Sequence, residues 1–168
     1  FIDSYSNVRQ LSNVGIDDFK GGRLAAEHLI ANGHRSVAFV SPPERENGVI
    51  QHRLRGFSDT LEQRGLRLRP EWRLVLESDV DPRSVLQTAA ALAGLDVTAA
   101  FVTSDQLAAS LIGGLSGHGV LVPRDLSIVG FDNMPVSTQI TPQLTTVEQD
   151  LDQKAALAVD ILQHRLQN

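Results

Sequence analysis

Short apolar runs alternate with amphipathic segments along this chain, and the alternation predicts strands and helices in turn. The apolar runs lie near 37–40, 73–76, 97–103 and 128–131, and such runs are typical of parallel strands buried on both faces. Between them, apolar residues recur at helical spacing, and each of these segments ends at a glycine. The pattern predicts an α/β fold, with a parallel sheet and helices on both faces.

Capping residues mark the ends of the predicted helices. Asp17 or Asp18 can cap the first helix, and Asn32-Gly33 ends it. Asp81-Pro82 is a strong start for the third helix, because Asp accepts a backbone hydrogen bond and Pro fits the first turn. A long polar connection follows the fourth strand, and a last amphipathic helix is predicted over 151–166.

Length and composition limit the class of protein. The chain has 168 residues, enough for one ordinary domain, and its net charge of -5 disfavours nucleic-acid binding by this segment itself. It has no cysteine, which excludes disulfides and thiolate metal sites and fits a reducing cytoplasm. No segment is long and apolar enough to span a bilayer, and no signal peptide opens the chain. Because it begins without Met, we expect a fragment of a longer protein.

Polar residues follow each predicted strand. Because the carboxyl ends of parallel strands share one edge of a sheet, we expect these residues to converge on a ligand cleft. Carboxylates opposed by arginine suit a neutral polyhydroxylated ligand, since a carboxylate accepts hydroxyl protons and a guanidinium donates to two oxygens. In strand order, the residues are Glu44, Arg45, Asn47, His52 and Arg53; Ser78 and Asp79; Ser104 and Asp105; and Asp132 and Asn133.

Structural roles compete with these ligand roles. By local sequence, a cap of the helix that begins at Gln106 explains Asp105 at least as well as a ligand contact does. Arg53 is equally explained as a residue on a solvated helix face. Asp79 and Asp81 are better explained as caps than as ligands.

Motifs of enzymes and metal sites are missing from the sequence. The glycines near 113–119 form neither G-x-G-x-x-G after a strand nor a Walker loop, and there is no G-x-S-x-G elbow. The histidines are scattered, and none is paired with acids at metal-ligand spacing. Glu44 and Glu46 form an acid pair, but no nucleophile or metal accompanies them. We therefore predict no enzyme, no cofactor and no metal site.

Six segments match a known pattern in their order and spacing. They are Val14-Gly15-Ile16-Asp17 with Gly22 and Ala25; Leu29 to Arg35; Arg53 to Phe57; Ser104 to Ala108; Val122 to Asp132; and Pro142 to Val147. In this combination, which runs almost from end to end, the chain resembles the lactose/galactose repressor (LacI-type) family of bacterial transcription regulators.

The resemblance implies a periplasmic-binding-protein-like type I domain of two lobes behind a helix-turn-helix headpiece. Residues 1–16 would be a remnant of the first effector-binding lobe, 17–147 the second lobe, and 148–168 the crossover and the helix that returns to the first lobe. The first lobe is thus incomplete in this chain. Operator DNA would be bound through the absent headpiece. The family also implies that the protein forms a homodimer and does not bind a membrane.

The resemblance also implies effector contacts, position by position. The contacts fall on Asp105, Arg53 and Asp3, and in some members on the loop positions of Arg45 and Asn47. Asp132, at the end of the fourth predicted strand, is a further candidate from the strand pattern. Asp105 with Arg53 is the preferred pair. Val80 stands where many members carry an aromatic ring, which favours a sugar or related polyol over a purine, and Ser104 stands where Asn is usual.

The sequence therefore predicts a cytoplasmic, repressor-type transcription regulator, in which a small molecule, with a sugar preferred, binds between the lobes. The alternative is the solute-binding protein of a sugar transporter, which shares the two-lobed fold; a secretion signal upstream would favour it, and a helix-turn-helix would dismiss it. A third hypothesis, an enzyme that uses Glu44 or Asp105 as a base, would require turnover of a bound sugar.

Overall fold

The structure, a computed structural model, describes residues 14–43, 48–78 and 81–166. Within these ranges the helices and strands that the sequence predicts are present in the predicted order, and a short helix and a fifth strand follow the fourth predicted strand. In chain order they are α1 (Asp18–Ala31), β1 (Val37–Ser41), α2 (Val49–Gln63), a 3-10 turn (Pro70–Trp72), β2 (Arg73–Val75), α3 (Pro82–Ala93), β3 (Ala99–Val102), α4 (Asp105–Gly117), β4 (Ser127–Asp132), α5 (Val136–Gln139), β5 (Thr145–Glu148) and α6 (Leu151–Leu166).

The strands form one sheet in the order β2-β1-β3-β4-β5, and every neighbouring pair is parallel. The predicted fold class is confirmed. The chain winds in one direction from β1 to β2 and in the other from β3 to β5, so the topology switches between β1 and β3. In open α/β sheets, ligands bind in the crevice outside the carboxyl ends of the strands at such a point.

Alternating strand residues fill two cores, one on each face of the sheet. On one face, α1 and α2 cover a cluster of four phenylalanines whose successive ring centroids lie between 5.3 and 6.2 Å apart: Phe39, Phe57, Phe101 and Phe131. On the other face, α3 and α4 pack on strand residues such as Val40 and Val102. Burial on both faces explains why these strands are continuously apolar in sequence.

The capping predictions for α1 and α3 are confirmed and refined. Asp17 is the cap of α1, since its side chain accepts a hydrogen bond from the Lys20 amide at 2.9 Å. Asp81 caps α3, with Pro82 as its first residue. Gly33 follows the end of α1 with a φ of 89°, a conformation that glycine adopts without steric cost.

The fifth strand was not predicted. The polar segment after β4 was interpreted as a connection, but Thr145–Glu148 pairs with β4 in parallel, with Phe131 opposite Val147. β5 lies at the edge of the sheet and is half-exposed along its length. An edge strand needs no continuous apolar run, and for this reason the apolar pattern did not reveal it.

Two glycines allow α1 and α2 to touch along their backbones. A Cβ added to Gly22 would overlap the carbonyl group of Arg53, and one added to Gly56 would overlap the carbonyl group of Phe19. The close approach places the backbone of Arg53 directly against α1. The position of Arg53 is therefore set by helix packing as well as by its own side chain.

Replacing Gly22 with Ala should lower the free energy of unfolding by about 1–3 kcal/mol, because the methyl group would force the two helices apart. Urea denaturation of the protein that carries this chain measures the loss. Gly113→Ala in α4 is the matched control, since no atom lies within 4 Å of an added Cβ there. That variant should be neutral or more stable, because Ala favours a helix over Gly. Equal losses in both variants would contradict the close packing.

Candidate functional site

Arg53 lies at the carboxyl edge of the sheet and is buried, with 7% of its surface exposed. Its Nε donates a hydrogen bond to Asp18 Oδ1 at 2.8 Å, and its Nη1 donates to the Thr103 carbonyl oxygen at 2.7 Å. The guanidinium Cζ lies 3.5 Å from the centroid of the Phe131 ring. Asp132 Oδ1 is 4.0 Å from Nη1. The interpretation of Arg53 as a residue on a solvated helix face is therefore wrong.

The contacts of Arg53 leave it able to bind a further acceptor. A guanidinium carries five N–H donors in a planar fork, and the bonds to Asp18 and Thr103 use two of them. The side-chain hydroxyls of Ser41 and Thr103, at the ends of β1 and β3, are buried and have no partner among the described residues. This edge of the sheet thus holds a fixed cation and unused hydrogen-bonding capacity.

Asp132 ends β4 beside Arg53, and its side chain is 24% exposed. Its φ of 111° lies in a region that residues other than glycine rarely adopt, and such backbone strain concentrates at ligand sites. Burial raises the pKa of Asp132, whereas the charge of Arg53 and a hydrogen bond from Gln149 Nε2 to Oδ1 lower this pKa. The Asp132 carboxyl group is thus partly accessible to a ligand, lies beside the Arg53 guanidinium and accepts a hydrogen bond from Gln149.

Asp105 has a different environment, because it is wholly buried. Its Oδ2 accepts a hydrogen bond from the Met134 amide at 2.8 Å, and its Oδ1 accepts one from Thr146 Oγ1 at 2.6 Å. Burial raises the pKa of Asp105, and the bond from Thr146 lowers it. Both carboxylate oxygens are therefore engaged inside the protein, where they tie α4 to β5 and to the segment after β4.

The alternative interpretation of Asp105, as the cap of α4, is wrong. The cap is Ser104, whose hydroxyl oxygen accepts a hydrogen bond from the Leu107 amide at 3.3 Å. Asp105 is the first residue of the helix and turns inward. The side chain at Ser104, where the family usually has Asn, thus serves the helix start.

Of the predicted effector-binding residues, the structure brings Arg53 and Asp132 together, and it places Asp105 close enough for its charge to raise the pKa of Asp132. Arg45, Asn47 and Asp3 lie outside the described residues. Asp79 and Val80 also lie outside them.

Sequence reasoning missed the residues that support this pair. Asp18 was considered only as a possible cap, although two adjacent aspartates at a helix start leave one free for another role. Gln149 lies two residues beyond the matched segment that ends at Val147, and no sequence pattern gives it a role; Lys154 lies within a predicted amphipathic helix, which suggests no contact with the site. Gln149 bonds to Asp132, and Lys154 bonds to Gln149.

Other features of the described residues do not form a competing site. No group of three or more histidines or acids could hold a metal ion in the described ranges. No helix in that part of the chain is long and apolar enough to cross a membrane. A cavity of about 380 Å³ lies at the opposite, amino edge of β4 and β5, lined in part by His28 and His34, and it contains none of the predicted effector-binding residues.

The chain is similar to known proteins over most of its length. The family model described as "Periplasmic binding protein-like domain" matches residues 26–168. The chain is 34% identical over 152 residues to the HTH-type transcriptional repressor PurR of Actinobacillus pleuropneumoniae, covering 89% of this chain and 44% of that protein. It is 34% identical over 161 residues to catabolite control protein A of Priestia megaterium, covering 95% and 48%. The chain thus spans about half the length of the curated relatives it matches.

Solved structures give the same result. A LacI family transcriptional regulator from Enterococcus faecium with bound ribose has a TM-score of 0.86 and 30% identity, covering 99% of this chain and 61% of that chain. A LacI family transcriptional regulator from Mycobacterium smegmatis has a TM-score of 0.88 and 32% identity, with coverages of 99% and 61%. The resemblance inferred from sequence is confirmed. These relatives are regulators and not enzymes, as predicted for this chain.

Replacing Thr146 with Val should lower the free energy of unfolding by about 1–3 kcal/mol at pH 7, because it removes a donor to the buried Asp105 carboxylate. The loss should be smaller near pH 4. Burial raises the pKa of folded Asp105 above its usual value, so stability falls as the pH rises from the unfolded pKa through the folded pKa. Without the Thr146 bond the folded pKa rises further. The deficit of the variant should therefore shrink as the pH falls through these pKa values, because protonation removes the charge that Thr146 stabilises.

Urea denaturation at the two pH values measures this difference. Thr145→Val is the control, since Thr145 is the exposed neighbour on the same strand. The assignment of Thr146 would be contradicted by a loss that is the same at both pH values, or by an equal loss in the control.

Proposed function

This chain belongs to the periplasmic-binding-protein-like domain family of the LacI-type regulators, and on that basis we propose that it is the effector-sensing part of a cytoplasmic transcriptional repressor. The repressor names of its relatives support this proposal over a transporter's solute-binding protein. Operator DNA is bound by a headpiece outside this chain, in line with the net charge of -5, and the protein acts as a homodimer.

The pair of Arg53 and Asp132 is the observation that carries the proposal. A buried guanidinium and a partly exposed carboxylate lie 4.0 Å apart at the carboxyl edge, close to the point where the topology switches. Asp132 accepts hydroxyl protons from the effector, and Arg53 donates to its oxygens. We therefore place Asp132 rather than Asp105 opposite Arg53, because both oxygens of Asp105 are already engaged.

The charges around this pair favour a neutral, hydroxyl-rich effector such as a sugar. Arg53 is balanced by Asp18, its ion-pair partner, and Asp132 is influenced by the positive charge of Lys154. The ribose bound to the Enterococcus faecium relative shows that a protein of this fold holds a sugar. Arg45, Asn47 and Asp3 remain predicted effector contacts, with Asp3 contributed by the first lobe.

The effector acts between two lobes in this proposal. Residues 17–147 form the second lobe, residues 1–16 are part of the first, and residues 148–168 cross back to it. An effector that bridges the lobes binds their closed arrangement more tightly than their open one. This difference in affinity sets how far the effector can shift the protein toward the closed arrangement. The resulting rotation of the lobes moves the two DNA-binding heads of the dimer relative to their half-sites.

Replacing Asp132 with Asn in the full-length protein should weaken sugar binding by roughly 10- to 100-fold, since a hydrogen bond to a charged group contributes about 1.5–3 kcal/mol. A thermal-shift screen with monosaccharides, beginning with D-ribose, identifies the sugar, and calorimetry measures its affinity. Arg53→Ala should also weaken sugar binding. It is the less direct test, because it leaves Asp18 buried without its cation and so lowers the stability of the protein as well.

Arg55→Ala is the matched control, because Arg55 lies two residues further along α2 and is exposed. It should bind the sugar as the parent does. A sugar that binds Asp132→Asn as tightly as the parent would show that the assigned pocket is wrong. A parent protein that responds to no monosaccharide would rule out the sugar class.

A further inference from the structure

A buried lysine, Lys154, lies close to Asp132 and is linked to it through Gln149. The chain has two lysines, and Lys154 in α6 is 8% exposed. Its Nζ donates a hydrogen bond to Gln149 Oε1 at 2.7 Å. Lysine is almost never this buried unless it is paired, because removing an ammonium group from water costs free energy. Gln149 Oε1 supplies one of the polar contacts that such burial requires.

Gln149 connects this lysine to the carboxylate of the site. Its Nε2 donates to Asp132 Oδ1, while its Oε1 accepts from Lys154. The amide is thus used at both ends, and its orientation follows from its partners, because an ammonium group has only donors and a carboxylate has only acceptors. One side chain orders the cation and the anion together.

The contacts form a continuous series from one helix to another. We name Arg53, Asp132, Gln149 and Lys154 the Asp132 relay. It begins on α2, passes the end of β4, continues through the link between β5 and α6, and ends in the first turn and a half of α6. Two hydrogen bonds thus join the Asp132 carboxylate to the start of α6.

The contacts of the relay also act on the pKa of Asp132, against the effect of burial. The charged groups that act on this carboxyl are Arg53 from α2, Asp105 from α4 and Lys154 from α6, and Glu148 of β5 accepts a bond from the neighbouring Asn133. Burial and Asp105 raise the pKa of Asp132, whereas Arg53, Gln149 and Lys154 lower it. Gln149 and Lys154 thus favour the ionised form that accepts hydroxyl protons.

We propose that Gln149 and Lys154 are positioning residues that orient the Asp132 carboxylate for the effector and couple its engagement to the packing of α6. This inference rests on the proposed role of Asp132 in effector binding. Coupling of this kind is reciprocal, so a change in α6 alters effector affinity by the same factor by which the effector alters α6. Arg53 and Asp132 are the relay residues that are proposed to contact the effector, and Gln149 and Lys154 do not contact it.

The first test measures the pKa of Asp132 in the full-length protein by carboxyl NMR with ¹³C-labelled aspartate. The pKa should rise in Lys154→Met and in Gln149→Leu, and it should stay near the parent value in Lys154→Arg, which keeps the charge. Lys20→Met is the matched control, since Lys20 is the chain's other lysine and is exposed. An unmoved pKa in Lys154→Met, or an equal rise in Lys20→Met, would overturn the proposal.

The second test follows amide hydrogen exchange in α6. Asp132→Gly removes the carboxylate at a backbone conformation that glycine accepts, and it should speed exchange at the start of α6 by roughly two- to tenfold, as Lys154→Met should. The monosaccharide that stabilises the parent, tested first as D-ribose, should slow this exchange in the parent but not in Gln149→Leu.

The outcomes separate the two proposals. Unchanged α6 exchange in Asp132→Gly overturns the relay, whether or not the protein binds a sugar. A parent that binds no monosaccharide overturns the sugar proposal, while a faster α6 exchange in Asp132→Gly and a raised pKa of Asp132 in Lys154→Met still support the relay.

Discussion

The buried ion pair between Arg53 and Asp18 is the interaction on which the arrangement at the carboxyl edge of the sheet depends. Gly22 and Gly56 let α1 and α2 approach until their backbones touch, and this places Asp18 within 2.8 Å of the guanidinium. A buried charge is tolerated only when it is paired and hydrogen-bonded, and Asp18 and the Thr103 carbonyl oxygen meet that requirement. Arg53 is thereby fixed over Phe131 before any ligand arrives.

Three aspartates near this edge have three different tasks, and their surroundings decide which. Asp18 balances a buried cation. Asp105 uses both oxygens to tie α4 to β5 and the end of β4. Asp132 alone combines partial exposure with a neighbouring guanidinium, and this makes it the acceptor in the proposed effector site. Residue type by itself does not distinguish these tasks, because each depends on which groups satisfy the carboxylate.

The segment that closes the sheet connects fold to function. β5 supplies Thr146, which holds Asp105, and the link after β5 supplies Gln149, which holds Asp132. The same link leads directly into α6, where Lys154 is buried against Gln149. In the proposed two-lobed arrangement, residues 148–168 form the crossing between the lobes. The Asp132 relay places the proposed ligand contact at the start of that crossing.

The sequence alone determined the fold class, the places of α1, α2, α3, α4 and α6 along the chain and the edge of the sheet that bears the polar residues, and its segments identified the family. These features follow from local periodicity and capping, which neighbouring residues specify. Tertiary structure decided that β5 exists, that Asp17 rather than Asp18 caps α1, and that Asp132 faces Arg53 while Asp105 is enclosed. The deciding contacts join residues far apart in the chain, 35 positions for Arg53 and Asp18 and 41 for Asp105 and Thr146, and no local pattern records them.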